Sequence, residues 1–134
     1  MRLRMSVAAV FAVALIGATP LRPQDAPRQA VKLPLECAEA DCVLLKGEPQ
    51  TAGMRSGFVR LKPWEAVGWH TTGDHEEALV ILHGSGEAQI EGREPIRIGA
   101  RVMVYIPPRT RHNVQNTGRE LLEYVYVVAP TPSH

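Results

Sequence analysis

The chain's 134 residues fit one domain at most. Its 15 basic and 14 acidic residues leave a formal charge of +1, so neither a nucleic-acid groove nor a basic membrane face is indicated. With 45% hydrophobic residues, enough apolar material is present for a real core.

The first element is a leader. MRLRM carries two arginines, and SVAAVFAVALIGA follows as an uncharged apolar run of 13 residues. A basic start and a short apolar region make up the layout of a secretory signal peptide. The run is shorter than the roughly 20 residues a membrane-spanning helix needs. Residues 1–26 are therefore expected to be a signal peptide, cut near Ala18 or Ala26. The mature protein would then be periplasmic or secreted, without a stable membrane anchor. An uncleaved anchor is the alternative.

Residues 27–42 follow as an extended N-terminal arm. The stretch TPLRPQDAPRQAVKLPLE holds four prolines and no apolar periodicity. Cys37 and Cys42 close the arm, separated by AEAD. In an oxidising compartment a close pair of this kind becomes a disulfide. A zinc role is the competing reading, but no second Cys/His pair stands nearby to complete four ligands.

Residues 43–130 form the domain proper, and 131–134 a tail. VLLK, SGFVRLK, EALVIL, EAQIEG, IRIG, RVMVYI, HNVQN and LLEYVYVV each read as a short strand, with EGREP as a hairpin turn. No long stretch shows helical spacing, so the fold class is all-β, a sandwich or barrel. Several strands are apolar on both faces. In EALVIL, Leu79 and Ile81 oppose Val80 and Leu82, and LLEYVYVV alternates in the same way. A strand exposed on one side would alternate apolar with polar. The outer faces need a second cover, and another copy of the chain is the natural one.

Four of the five histidines separate by spacing. His83 shares a strand face with Glu77 but lies about 20 Å further along, too far for one ion. His70, Glu77 and His112 together supply two nitrogens and one carboxylate, the facial-triad ligand set. His75 precedes Glu76 and Glu77 in the loop ahead of the EALVIL strand.

These residues carry a specific resemblance. The chain resembles the cupin family, whose barrel bears two motifs: glycine, five residues, H-x-H, three or four residues, E, six residues, glycine; then glycine, five residues, P-x-G, two residues, H, three residues, N. His70, Glu77 and Gly84 fall in register with the first, and Pro107, His112 and Asn116 with the second. The spacing to Gly84 selects Glu77 over Glu76. The resemblance implies a double-stranded β-helix, or jelly-roll barrel, holding a divalent transition metal (Fe, Mn, Ni, Zn or Cu) on His70, Glu77 and His112. It also implies a small-molecule ligand or substrate and pairing of two chains through the outer sheet.

The departures from the motifs are as informative. Trp64, Arg101 and Arg109 stand where the motifs have glycine, which is expected to alter turns that depend on positive φ. Thr72 stands where the first motif has its second histidine. His75 folding back, or water, would fill that vacancy; failing both, the site is too weak to hold metal.

Two functions remain open. One is a metal-dependent enzyme on a small organic molecule, with dioxygenase- or isomerase-like chemistry. The other is a non-catalytic binding module with a degenerate metal site. Trp69, Met103, Tyr105 and Tyr124 are candidate pocket lining, each with a core role as the alternative. Arg109 and Arg111 either meet an acidic substrate or are solvated loop charges.

Overall fold

The computed structural model describes residues 28–132; the expected leader over residues 1–26, and His134, lie outside the described residues. All eight expected strands are present: β1 (Asp41–Lys46), β2 (Arg55–Leu61), β3 (His75–His83), β4 (Ser85–Ile90), β5 (Ile96–Gly99), β6 (Met103–Ile106), β7 (His112–Gln115) and β8 (Leu122–Pro130). No helix occurs among the described residues. The strands form a five-stranded sheet, ordered β1-β2-β8-β3-β6, and a three-stranded sheet, ordered β5-β4-β7. Every pairing within them is antiparallel.

Boundaries shift where turn chemistry overrides apolar pattern. β1 begins two residues before the expected Val43, because Asp41 and Cys42 pair with Val59 and Phe58. β6 begins at Met103 rather than Arg101, since Arg101 is left-handed and Val102 donates back to the Gly99 carbonyl at 3.2 Å. Cys37 and Cys42 form a disulfide, which ties the end of the arm to β1.

Alternation along the strands fixes the core. Leu79, Ile81, Val104, Ile106, Leu122 and Tyr124 point between the two sheets and are buried. Burying side chains of this size stabilises the fold by roughly 1.5–3 kcal/mol each. The opposite parity of β3, β6 and β8 carries Val80, Leu82, Met103, Tyr105, Val125 and Val127 outward. Met103 and Tyr105 are 67% and 57% exposed, so the apolar outer face expected from the sequence is real and uncovered at its β6 end.

The register also sets out the inner face in rows. Arg55, Val128, Glu77 and Ile106 are consecutive partners across β2, β8, β3 and β6. Gly57, Tyr126 and Leu79 form the next row, and Val59, Tyr124 and Ile81 the one after. Directly paired residues share a face, so Arg55 and Glu77 both look into the barrel.

Candidate metal centre

Two histidines come from opposite ends of the motif region and meet backbone to backbone. His70 and His112 form an isolated antiparallel bridge, each N–H donating to the other's carbonyl at 2.9 Å. Their rings lie 4.3 Å apart between centroids, tilted by 59°. Glu77 reaches them from β3 in the facing sheet. Ligand atoms of His70, Glu77 and His112 all lie within 4.8 Å of one another.

The imidazoles are oriented by a repeated device. His70 Nδ1 contacts the Gly68 carbonyl at 2.8 Å, and His112 Nδ1 contacts the Thr110 carbonyl at 3.0 Å. A carbonyl only accepts, so each Nδ1 carries a proton, which makes Nε2 the nitrogen that a neutral ring would offer to a metal. Outer hydrogen bonds of this kind fix tautomer and ring angle in metal-ligating histidines.

Burial sharpens the chemistry. His112 is fully buried and Glu77 is 5% exposed. His112 Nε2 and Glu77 Oε2 stand 3.2 Å apart, yet neither makes a well-aligned hydrogen bond. Unpaired buried groups of this kind cost roughly 1–3 kcal/mol or more each. One cation among three such atoms would satisfy both. Burial pushes the His112 pKa down, but the contact with Glu77, the Thr110 carbonyl and the Glu77 charge outweigh it. The pKa therefore lies above its ordinary 6.5.

The expected fold-back of His75 is not found. His75 opens β3 with its backbone tied in both directions to Thr72: its N–H donates to the Thr72 carbonyl at 3.3 Å, and the Thr72 hydroxyl donates to its carbonyl at 2.9 Å. The threonine where the motif has histidine thus closes a turn, and His75 stands outside the group of ligand atoms. His83 is also outside, against the Leu121 carbonyl at the far end of β3.

Asn116 is wholly buried and acts as a clasp. Its Nδ2 donates to the carbonyls of Leu61 (2.8 Å) and Glu120 (2.7 Å), and its Oδ1 accepts from the Gly118 N–H at 2.9 Å. It secures the ends of β2 and β7 beside the barrel and is not part of the ligand group.

The expectation that lost glycines would alter the turns is overturned. Trp64, Arg101 and Arg109 have φ of 69°, 71° and 56°, and they are the non-glycine residues of positive φ among the described residues. The turns persist because each N–H is anchored: Trp64 to Asn116, Arg101 to Ile81 and Arg109 to Gly73, at 2.9, 2.9 and 2.6 Å. The conformation costs roughly 1–2 kcal/mol at a residue bearing a Cβ. Arg101→Gly should therefore stabilise the fold by up to about 1 kcal/mol, after subtracting about 0.4–1 kcal/mol for glycine's freer unfolded chain. A urea midpoint below that of the wild type would contradict this.

A cavity of about 480 Å3 opens beside the triad, within the range of small-ligand sites. Its walls include Arg55, Val67, Thr72, Tyr124, Tyr126 and Val128. Of the candidate lining residues, Tyr124 is there, whereas Met103 and Tyr105 face outward and Trp69 lies beneath Arg111 at 5.4 Å. Arg109 and Arg111 pair with Asp74 and Glu91, both at 2.8 Å, as loop charges. Arg55 was the residue sequence reasoning missed. Its signal was its inward parity with Val59 and Leu61.

A family model described as a cupin domain matches residues 57–128, more than half of the chain. A double-stranded β-helix protein from Klebsiella pneumoniae is similar at TM-score 0.65 and 16% identity, covering 79% of this chain and 95% of that one. A cupin protein from Bacteroides fragilis is similar at TM-score 0.62 and 19% identity, with 80% and 87% covered. The cupin domain of Schizosaccharomyces pombe Cnp3 is similar at TM-score 0.61 and 18% identity, with 76% and 70% covered. A search of curated proteins finds no match. The matched span encloses both motifs, and the chain belongs to the cupin family.

Proposed function

We propose that this chain is an exported cupin that holds one divalent transition metal on His70 Nε2, His112 Nε2 and Glu77, and binds a small organic molecule beside it. The observation that carries the reading is the pair of buried, unpartnered atoms, His112 Nε2 and Glu77 Oε2, within reach of His70. The donor set of two imidazoles and one carboxylate suits Fe, Mn, Ni, Zn or Cu. When bound, the ion would supply Lewis acidity or a redox centre for dioxygenase- or isomerase-like chemistry. The chain's own residues hold the ligand lone pairs in place, exclude bulk water with Val67, Val114 and Val128, and leave a cavity for the organic molecule. Export is supported by the basic, then apolar, leader.

A non-catalytic binding module is the second reading, and two observations favour it. The Thr72 hydroxyl is committed to its turn. The phenols of Tyr124 and Tyr126 have pKa values pushed up, chiefly by burial, so both stay protonated at neutral pH and neither serves as a base. Metal analysis of protein purified without chelator, followed by oxygen uptake against phenols, thiols and sugar acids, tests both. About one ion per chain with turnover supports the enzyme; one ion without turnover supports the module; metal-free protein contradicts the site. Thr72→His should tighten metal binding by about tenfold, or ~1.4 kcal/mol, in a chelator competition. Unchanged affinity would show that this barrel cannot present a third ring.

We also infer a homodimer through the outer face of the five-stranded sheet. Exposed Leu82, Met103 and Tyr105 continue an apolar surface with Val125 and Val127. A patch of this kind is what self-association covers. Light scattering should give twice the chain mass, and a stable monomer at tens of micromolar would contradict the inference.

A further inference from the structure

The cavity beside the triad has one cationic side chain besides the histidines, and its place in the sheet is informative. Arg55 lies in the same inner row as Glu77, with only Val128 between them. At a strand spacing of roughly 4.8 Å, their backbones are about 10 Å apart. A guanidinium on that row can meet one end of a small molecule whose other end lies at the triad. Among the described residues, Arg55 makes no salt bridge and no side-chain hydrogen bond, as is true of several surface arginines, but it is the arginine that lines this cavity. Asp41 also lines the cavity, but its row is that of Val59, four residues along β2. Asp41 stands close enough to raise the Tyr126 pKa, yet among the described residues no carboxylate pairs with the Arg55 fork.

A second observation comes from the adjacent row. A Cβ at Gly57 would run into the ring and hydroxyl of Tyr126. Glycine at this position therefore lets the Tyr126 ring lie directly over the β2 backbone, in the row next to Arg55. The room gained is part of the same 480 Å3 cavity. Burial, then the Asp41 and Glu77 charges, raise the Tyr126 pKa, so its hydroxyl keeps its proton and can donate.

We propose that Arg55 and the Tyr126 hydroxyl form an anion-recognition wall, and that the molecule bound in this cavity is a small organic carboxylate. Arg presents a planar fork that matches a carboxylate in two parallel bonds. The phenol adds a donor from the next row. Charge agrees: a divalent ion and Arg55 exceed Glu77 and Asp41 by one positive charge, which a monoanion would neutralise. The inference rests on the proposed metal site for the ligand's second attachment and for the surplus positive charge; the donors themselves are Arg55 and Tyr126, with Gly57 making room for the ring.

Calorimetric titration with benzoate, pyruvate and succinate, each beside its uncharged amide, tests the wall. At least one acid should bind about tenfold or more tightly than its amide, the range expected for hydrogen bonds to a charged group. Arg55→Gln should abolish that preference while leaving metal content and the β-sheet circular dichroism unchanged, and Arg55→Lys should restore part of it. Tyr126→Phe should weaken acid binding severalfold without affecting the amides. Acids that bind no better than amides, or not at all, would overturn the proposal, as would an Arg55→Gln variant that keeps the preference. The same titrations on metal-depleted protein separate the two readings. An Arg55-dependent preference that survives there supports the wall even if the chain holds no metal.

Discussion

His112→Ala should lower the affinity for a divalent transition metal by more than about 100-fold, because loss of a mere outer-shell partner already costs about 10–100-fold. The variant removes one of the three proposed ligands, the most deeply buried of them, set against Glu77. It should still fold: the ring leaves a cavity, but one unsatisfied buried nitrogen disappears with it. Metal stoichiometry measured on the folded variant is the check, and wild-type stoichiometry would remove His112 from the site. A related expectation concerns pH. Metal binding needs the neutral ring, and the His112 pKa lies above its ordinary value. The affinity of the wild type should therefore begin to fall as pH drops through that raised value, earlier than for an unperturbed histidine.

Gly84→Ala should destabilise the fold by about 2–5 kcal/mol, a large share of the roughly 5–15 kcal/mol that small domains possess. Gly84 sits between β3 and β4, where the chain leaves the five-stranded sheet for the three-stranded one. Its φ is +78°, and a Cβ there would overlap the Leu121 carbonyl oxygen and approach Leu122 Cα at 2.9 Å. Left-handed strain accounts for roughly 1–2 kcal/mol, and overpacking against backbone for roughly 1–3 more. The obstructing atoms belong to the start of β8, the central strand of the larger sheet, so they cannot yield cheaply. The midpoint of urea unfolding measures the loss. A variant as stable as the wild type would mean that β8 can move away from the crossing.

These two residues also show why part of the structure could be read from the sequence and part could not. Strand alternation depends only on neighbours along the chain, so the eight strands and the shared face of Leu79 and Ile81 follow from local pattern, whereas which face turns inward does not, because EALVIL is apolar on both. Glu77 and His112 could be singled out because their spacing to Gly84 and Asn116 is a one-dimensional record of the barrel's register. His75 illustrates the opposite case. Its side chain was free to fold back on spacing alone, but a threonine hydroxyl three residues earlier ties its backbone, and only coordinates reveal that tie. Trp64, Arg101 and Arg109 show a further limit. Residue type argued against left-handed turns, while the N–H bonds these three residues donate to the carbonyls of Asn116, Ile81 and Gly73 outweigh a cost of roughly 1–2 kcal/mol each. The placement of Arg55 in one row with Glu77 is not local in the sequence, because the two meet only through the β2–β8–β3 pairing.

The measurement that tests the central claim most directly is anomalous X-ray diffraction from crystals of the metal-loaded protein. The account predicts one anomalous peak per chain, between the sheets, at roughly 2.0–2.2 Å from His70 Nε2, His112 Nε2 and a Glu77 carboxylate oxygen. A peak elsewhere, or loaded crystals with no peak among these three residues, would contradict it.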